Sequence, residues 1–245
     1  MKALLVAGLL VAVTAIAHSA PKSFSSGTGR VALVELYTSE GCSSCPAADK
    51  SLTALRDSAG LWKEFVPVGY HVDYWNGLGW TDRFATKAFT QRQYALAAQW
   101  KSESVYTPCF TRDGVEWKLQ KDPHAGVAPA AGKLALTVDD AGKVRAEFTP
   151  ANGNGPADYA VHVVLLGNGF TSKVTAGENR GETLRHDFVA LGLADADLHS
   201  ENGAATAELA LPVSTIKPVP RRAVAAWVTR KGSLVPLQAT GGWLE

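Results

Sequence analysis

Cysteine is scarce, with three in 245 residues: Cys42, Cys45 and Cys109. An odd number cannot close into a structural disulfide framework, so at least one thiol is free or pairs transiently. Neither sign of charge is in excess. Lys and Arg number 24 against 23 Asp and Glu, a net +1, which removes any electrostatic case for a nucleic-acid partner. Heptads, internal repeats and low-complexity blocks are missing, so nothing suggests a coiled coil or a solenoid. One long apolar run exists, Ala3 to Ala17, and it is too short for a comfortable membrane span. No cysteine follows it directly, which argues against a lipoprotein. Lys2 precedes it and the small residues Ala15, Ala17, Ser19 and Ala20 stand at and just after its end, the order of a signal peptide. Residues 1–20 are therefore expected to be removed by cleavage after Ala17, Ser19 or Ala20. The expectation is a bacterial periplasmic or secreted protein that does not span the membrane, in a compartment that permits disulfides.

The apolar fraction, 46%, is enough to build a core. The most informative stretch begins with the β-branched apolar run Val31 to Tyr37, which reads as a buried strand. A turn through Ser39, Glu40 and Gly41 follows, then Cys42-Ser43-Ser44-Cys45, then helical spacing from Ala47 to Arg56. Cys42 thus falls where a strand ends and a helix begins. Unpaired N–H groups at a helix N-terminus favour negative charge, so a thiolate there is stabilised. Pro46 suits a first helical turn.

Pro21 to Gly29 reads as a flexible leader. Beyond the cysteines, Phe65 to Asp73 reads as a second buried strand ending in an aromatic loop, Tyr74 to Trp80. A helix through Phe84, Ala88, Tyr94 and Trp100 is expected, capped by Thr81 or Asp82. A hairpin with an Asp113-Gly114 turn comes next, and a short helix over Asp122 to Gly132 closes the series. The order βαβαββα is that of a thioredoxin-like α/β domain, expected over residues 30–132. Thr107-Pro108 falls where that fold carries a cis-proline beside its cysteines. From Leu134 the composition changes to short strand-like runs: Leu134–Val138, Val144–Phe148, Tyr159–Leu166, Leu184–Leu191, Ala205–Leu211, Ala223–Val228 and Leu234–Leu237. Turn residues separate them, as in Asn152 to Pro156. This predicts an all-β, sandwich-like second domain over residues 133–245.

Val34-Glu35-Leu36-Tyr37-Thr38-Ser39-Glu40-Gly41-Cys42-Ser43-Ser44-Cys45-Pro46 and Tyr70-His71-Val72-Asp73-Tyr74-Trp75 carry a family resemblance. Leu78-Gly79-Trp80, Ser104 to Pro108 and Gly177-Glu178-Asn179-Arg180-Gly181 extend it over nearly all of the chain after the signal. The chain resembles a bacterial secreted thioredoxin-like family catalogued as domain of unknown function 1223 (DUF1223). The resemblance implies a thioredoxin-like domain followed by a β domain and no settled activity. Members of that family usually carry Gln after Thr-Pro, where this chain has Cys109.

The leading functional expectation is thiol–disulfide exchange with protein thiols and disulfides, served by a periplasmic redox partner, with a redox-active disulfide and no separate cofactor. Cys42 would be the exposed nucleophile, Cys45 the resolving thiol and Pro108 the shaper of the groove. Glu35 lies near the place where thioredoxins keep a buried acid, and would act as base toward Cys45 if buried; a solvent-facing strand residue is the alternative. No histidine stands between the cysteines, so the pair is expected to be less oxidising than the strongest oxidants. Cys109 is either a further partner of the pair or a buried free thiol. A second expectation is Cu(I) binding, as chaperone or sensor, by Cys42 and Cys45 with His71 or Cys109. A third is a redox-silent interaction module. Gly177 to Gly181 reads as a turn without an assigned site.

Overall fold

The computed structural model describes residues 20–27, 29–118, 132–151, 158–201 and 203–245. The expected signal peptide up to residue 19, the expected helix over residues 122–131 and the turn at residues 152–156 lie outside them. In the first half the elements are β1 (Lys22–Ser25), β2 (Ala32–Thr38), α1 (Cys45–Ala54), β3 (Phe65–His71), α2 (Lys87–Gln99), β4 (Cys109–Arg112) and β5 (Val115–Glu116). Local chemistry accounts for their limits. Pro46 occupies the first turn of α1, where its missing N–H costs no bond. Thr86, rather than Thr81 or Asp82, caps α2: its hydroxyl accepts the Phe89 N–H at 3.3 Å. Asp113 and Gly114 both have positive φ, 50° and 75°, the backbone of a tight hairpin turn.

The second half supplies β6 (Gly132–Val138), β7 (Lys143–Pro150), β8 (Tyr159–Asn168), β9 (Phe170–Lys173), β10 (Thr183–His186), β11 (Val189–Glu201), β12 (Ala204–Ala210), β13 (Arg221–Arg230) and β14 (Pro236–Trp243). The single run expected over Leu184–Leu191 is two strands, broken at Asp187 and Phe188. Phe188 has φ 57°, and the Asp187 carboxylate accepts the Gly169 N–H at 2.8 Å. Residues 22–25, expected as a flexible leader, instead form β1, which pairs antiparallel with β6.

β2 and β3 are parallel, and β4 runs antiparallel on the other edge of β2. β11 is the joint of the molecule. Its first residue, Val189, pairs with Gly69 of β3 and with Gly167 of β8, and its far end pairs with β12. β8 continues to β13, and β13 to β14. The result is three layers. Ala223, Ala225 and Trp227 of β13 pack into a core with β2 and β3, while Val224, Ala226 and Val228 pack into a second core with β6, β7 and β12. A strand buried on both faces needs a continuous apolar run, which Ala223–Val228 is. Two glycines of β14 let the outer layers close on it. A Cβ at Gly241 would stand 3.0 Å from the Trp62 ring, and one at Gly242 would stand 2.4 Å from Phe24.

The expected fold class is therefore corrected. There is no thioredoxin-like α/β domain followed by an all-β domain. Twelve strands from both halves join in one mixed sheet, and the described residues hold only two α-helices. The physical reason lies in β2 and β3. One face, with Thr38, Gly69 and His71, is covered by α1. The opposite face, with Leu33, Glu35, Tyr37 and Tyr70, is covered by α2 together with the β8–β13–β14 layer. Strands from the later sequence thus do much of the covering.

Candidate dithiol site and the buried acid–imidazole cluster beside it

The turn after β2 is tied by its own backbone. Cys42 N donates to Ser39 O and Cys45 N to Cys42 O, both at 3.2 Å. Cys42 and Cys45 are thiols, 1% and 0% exposed, so the expected exposure of Cys42 is not met. Cys42 Sγ lies 3.3 Å from Ser44 Oγ and 3.8 Å from Thr107 O. The two sulfurs are unlike in acidity. Hydrogen bonding from Cys45, with Ser44 and Thr107 assisting, lowers Cys42 to about 5. Burial, then the bond to Cys42, pushes Cys45 far above the usual thiol range. The Thr107–Pro108 bond is cis. Its approach is fixed by the Trp75 indole, donating to Thr107 Oγ1 at 2.8 Å, and by the Gln93 amide, donating to Tyr106 O at 2.8 Å.

A loop from the second half of the chain closes over this turn. The buried Asn179 side chain donates to Glu40 O and to Cys42 O, each at 2.9 Å. The exposed Glu178 carboxylate accepts the Ser43 N–H at 3.1 Å. Gly177 has φ 73°, and a Cβ there would stand 3.1 Å from that of Trp80. The segment read from sequence as a plain turn is a clamp on the dithiol.

Glu35 is fully buried but lies on the sheet face opposite α1. Its Oε1 accepts both Arg92 Nε (2.9 Å) and Nη2 (2.7 Å), and its Oε2 accepts the Thr111 hydroxyl at 2.9 Å. Cys109 is paired with Tyr37 across β2 and β4. Opposed residues of a ladder share a face, so Cys109 sits with Glu35 and Tyr37, away from α1. Burial, foremost, raises its thiol to about 11.

His71 lies on the α1 side within a buried set of charged groups. Its Nδ1 is 2.6 Å from Asp82 Oδ2. Asp82 also accepts the backbone N–H of Glu40 and of Phe84, each at 2.9 Å. Glu40 accepts the Trp80 indole N–H at 2.8 Å, and its other oxygen is 3.1 Å from His186 Nε2. Asp49 completes the set, its Oδ2 lying 3.8 Å from His186 Nδ1. Burial works against the charge on His71, but Asp82 first, then Asp49 and Glu40, raise it to about 9. Burial raises the Asp49 carboxyl from its ordinary value. Among the described residues, Asp49, His71 and His186 are the group whose ligand atoms gather, all within 4.8 Å of one another. The set considered for Cu(I), Cys42, Cys45, His71 and Cys109, is not gathered in this way.

Sequence reading passed over Glu40, Asp49, Asp82, Asn179 and His186. Signals for three were present. Glu40 stands inside Thr-Ser-Glu-Gly-Cys, Asp49 follows Cys45 by four residues and so shares its helix face, and Asn179 sits between two glycines. Asp82 was read as a cap, and nothing local marks His186.

Fold and site define a β-rich protein whose large mixed sheet presents a buried Cys-x-x-C turn at the start of a helix. The chain belongs to the family described as "Protein of unknown function (DUF1223)", matched over residues 33–229. It is similar to protein AGR_C_4864 from Agrobacterium tumefaciens at 25% identity and TM-score 0.60, over 87% of this chain and 93% of that one. It also shares its fold with HBP35 of Porphyromonas gingivalis, at 14% identity and TM-score 0.64, over 88% and 76% of the two chains. No curated protein matches it.

Proposed function

We propose that the protein exchanges thiols and disulfides with protein substrates through Cys42 and Cys45, outside the cytoplasm. The observation that carries this reading is the unequal pair: Cys42 lowered to about 5 beside a Cys45 held protonated. A structural bridge has no use for such an asymmetry, whereas an exchange catalyst needs one thiolate and one thiol in reserve. In the reducing direction, the Cys42 thiolate attacks a substrate disulfide. One substrate sulfur leaves as thiolate while a mixed disulfide forms. Cys45 then attacks Cys42 Sγ, gives its proton to the departing thiolate and releases the second substrate sulfur. The substrate gains two electrons and a Cys42–Cys45 disulfide remains; the oxidising direction is the reverse. Because Cys42 is buried, the turn at residues 39–45 or the loop at Thr107–Pro108 must yield for a substrate to reach it.

The test is the redox equilibrium of the pair. The protein and its Cys109→Ser variant are equilibrated in graded glutathione buffers, alkylated and weighed intact. A potential of about −200 mV, inside the range of roughly −120 to −270 mV found for exchange catalysts, is expected. A pair that stays closed below about −300 mV would be a structural bridge and would remove the reading. Insulin reduction that persists in Cys42→Ser would remove Cys42 as the nucleophile.

A further inference from the structure

The dithiol makes no use of the cluster formed by α1, the end of β3 and β10. There, Asp49, His71 and His186 are all buried, at 6%, 1% and 2% exposure. Two of their polar atoms, Asp49 Oδ2 and His186 Nδ1, have no hydrogen-bond partner. They face each other at 3.8 Å, too far for a hydrogen bond. Leaving such atoms unpaired inside a protein is costly, so their persistence calls for a partner.

The surroundings identify its chemistry. Each imidazole has one nitrogen committed to a carboxylate: His71 Nδ1 to Asp82 at 2.6 Å and His186 Nε2 to Glu40 at 3.1 Å. Carboxylates in that position fix the tautomer and orientation of metal-bound histidines and leave the other nitrogen to the ion. Asp82 and Glu40 are themselves held, by two backbone N–H groups and by the Trp80 indole respectively. Three carboxylates therefore surround two imidazoles, and among the described residues no Lys or Arg ion-pairs with any of the three. The cluster holds more carboxylates than imidazoles, with Asp49 Oδ2 and His186 Nδ1 left unpaired between them.

We propose that Asp49, His71 and His186 bind one divalent first-row transition-metal ion, zinc foremost. Two imidazoles and a carboxylate suit such ions, whereas Ca²⁺ and Mg²⁺ favour all-oxygen sets. Tetrahedral zinc at 2.0–2.1 Å sets its ligand atoms about 3.3 Å apart. The observed spread within 4.8 Å closes with side-chain shifts of about 1 Å. A cavity of about 390 Å³, lined by Asp49 and His186 with Pro46, Lys50, Thr53 and Leu184, offers an entry path. It also leaves room for a water or small ligand at a fourth position, so the site is of the open kind.

The experiment uses the full chain with Cys42, Cys45 and Cys109 replaced by serine, so that no thiolate can hold the ion. After loading with Zn²⁺ and desalting, one equivalent is expected to remain and to raise Tm relative to the chelator-treated protein. Asp49→Asn and His186→Ala in that background should lower affinity by at least about tenfold, and Glu40→Gln by about 10–100-fold. Co²⁺ substitution supplies a measurement that needs no cluster variant: two paramagnetically shifted imidazole N–H signals are expected, one per histidine. Zinc retention at background level, unchanged retention in natively folded Asp49→Asn and His186→Ala, or a cobalt spectrum without those imidazole signals would each overturn the proposal.

Discussion

The side chain of Asn179 donates to the carbonyl oxygens of Glu40 and Cys42, at 2.9 Å each, so a residue 137 positions downstream in the chain holds the Cys-x-x-C turn shut. Asn179→Ala leaves the Glu40 carbonyl without a donor and the Cys42 carbonyl with only the Cys45 N–H, a loss of about 1–3 kcal/mol, read as a fall in the denaturation midpoint. The same change should speed Cys42 alkylation by about tenfold, since a local opening easier by 1.4 kcal/mol is a factor of ten. Glu178→Gln, at an exposed position, should change stability little. Equal effects from the two variants would mean that the clamp is not specific to Asn179.

Hydrogen bonding from Cys45 lowers the Cys42 thiol to about 5, which sets the sign of its pH dependence. The thiolate forms as pH rises through that value. Its alkylation rate should be level above about pH 6 and fall tenfold per unit below about pH 5. A depressed pKa adds stability to the reduced protein that is complete above the unfolded thiol's value near 8.5 and is lost as pH falls toward 5. Cys42→Ser should lack that slope. Thr107→Val and Ser44→Ala should each move the alkylation midpoint upward. A midpoint near the free-thiol value would contradict the assignment.

Cys109 and the dithiol lie on opposite faces of β2 and β4. Cys109→Ser should therefore leave the potential of the Cys42–Cys45 pair unchanged within about 10 mV, since 30 mV already corresponds to 1.4 kcal/mol for a two-electron couple. Intact-mass titration of the two proteins side by side makes the comparison. A large shift would mean that the third thiol communicates with the pair.

Glu35 and Arg92 form a buried two-pronged ion pair, with the guanidinium also 5.0 Å from the Trp227 ring. Arg92→Met strands a buried carboxylate and should cost about 3–5 kcal/mol in urea denaturation. Glu35→Gln tests the expectation of a base for Cys45. With its carboxylate turned to the far face, the substitution should lower stability yet leave the pH profile of exchange in place. An altered profile would restore Glu35 to the chemistry.

Much of the dithiol turn was legible because its signals are local. A β-branched run, a turn with glycine, two cysteines three apart and Pro46 together specify strand, turn and helix start. The Asp113-Gly114 turn was legible for the same reason. What escaped depends on contacts between distant segments. Nothing near Phe24 announces that its strand will pair with residues 135–138, and nothing near Asn179 announces Cys42. The run Ala223–Val228 looks like a sandwich strand until both of its faces are seen to be covered. The two-domain fold expectation failed there, since period-2 patterning reports burial of one face and is silent on a second layer. Glu35 shows the same limit: its burial was anticipated as one alternative, but the face it occupies depends on the partner strands.

The middle layer of the molecule joins β8 to β13 and β14, strands that lie far apart in the chain. β8 and β13 lie between the two cores and give side chains to both. Until these strands are in place, each core lacks a wall and leaves its apolar face to water. Assembly of both cores therefore depends on β13 lying against β8, a pairing between distant segments. Such a chain should fold slowly, and a substitution on either face of β13 should weaken both cores together.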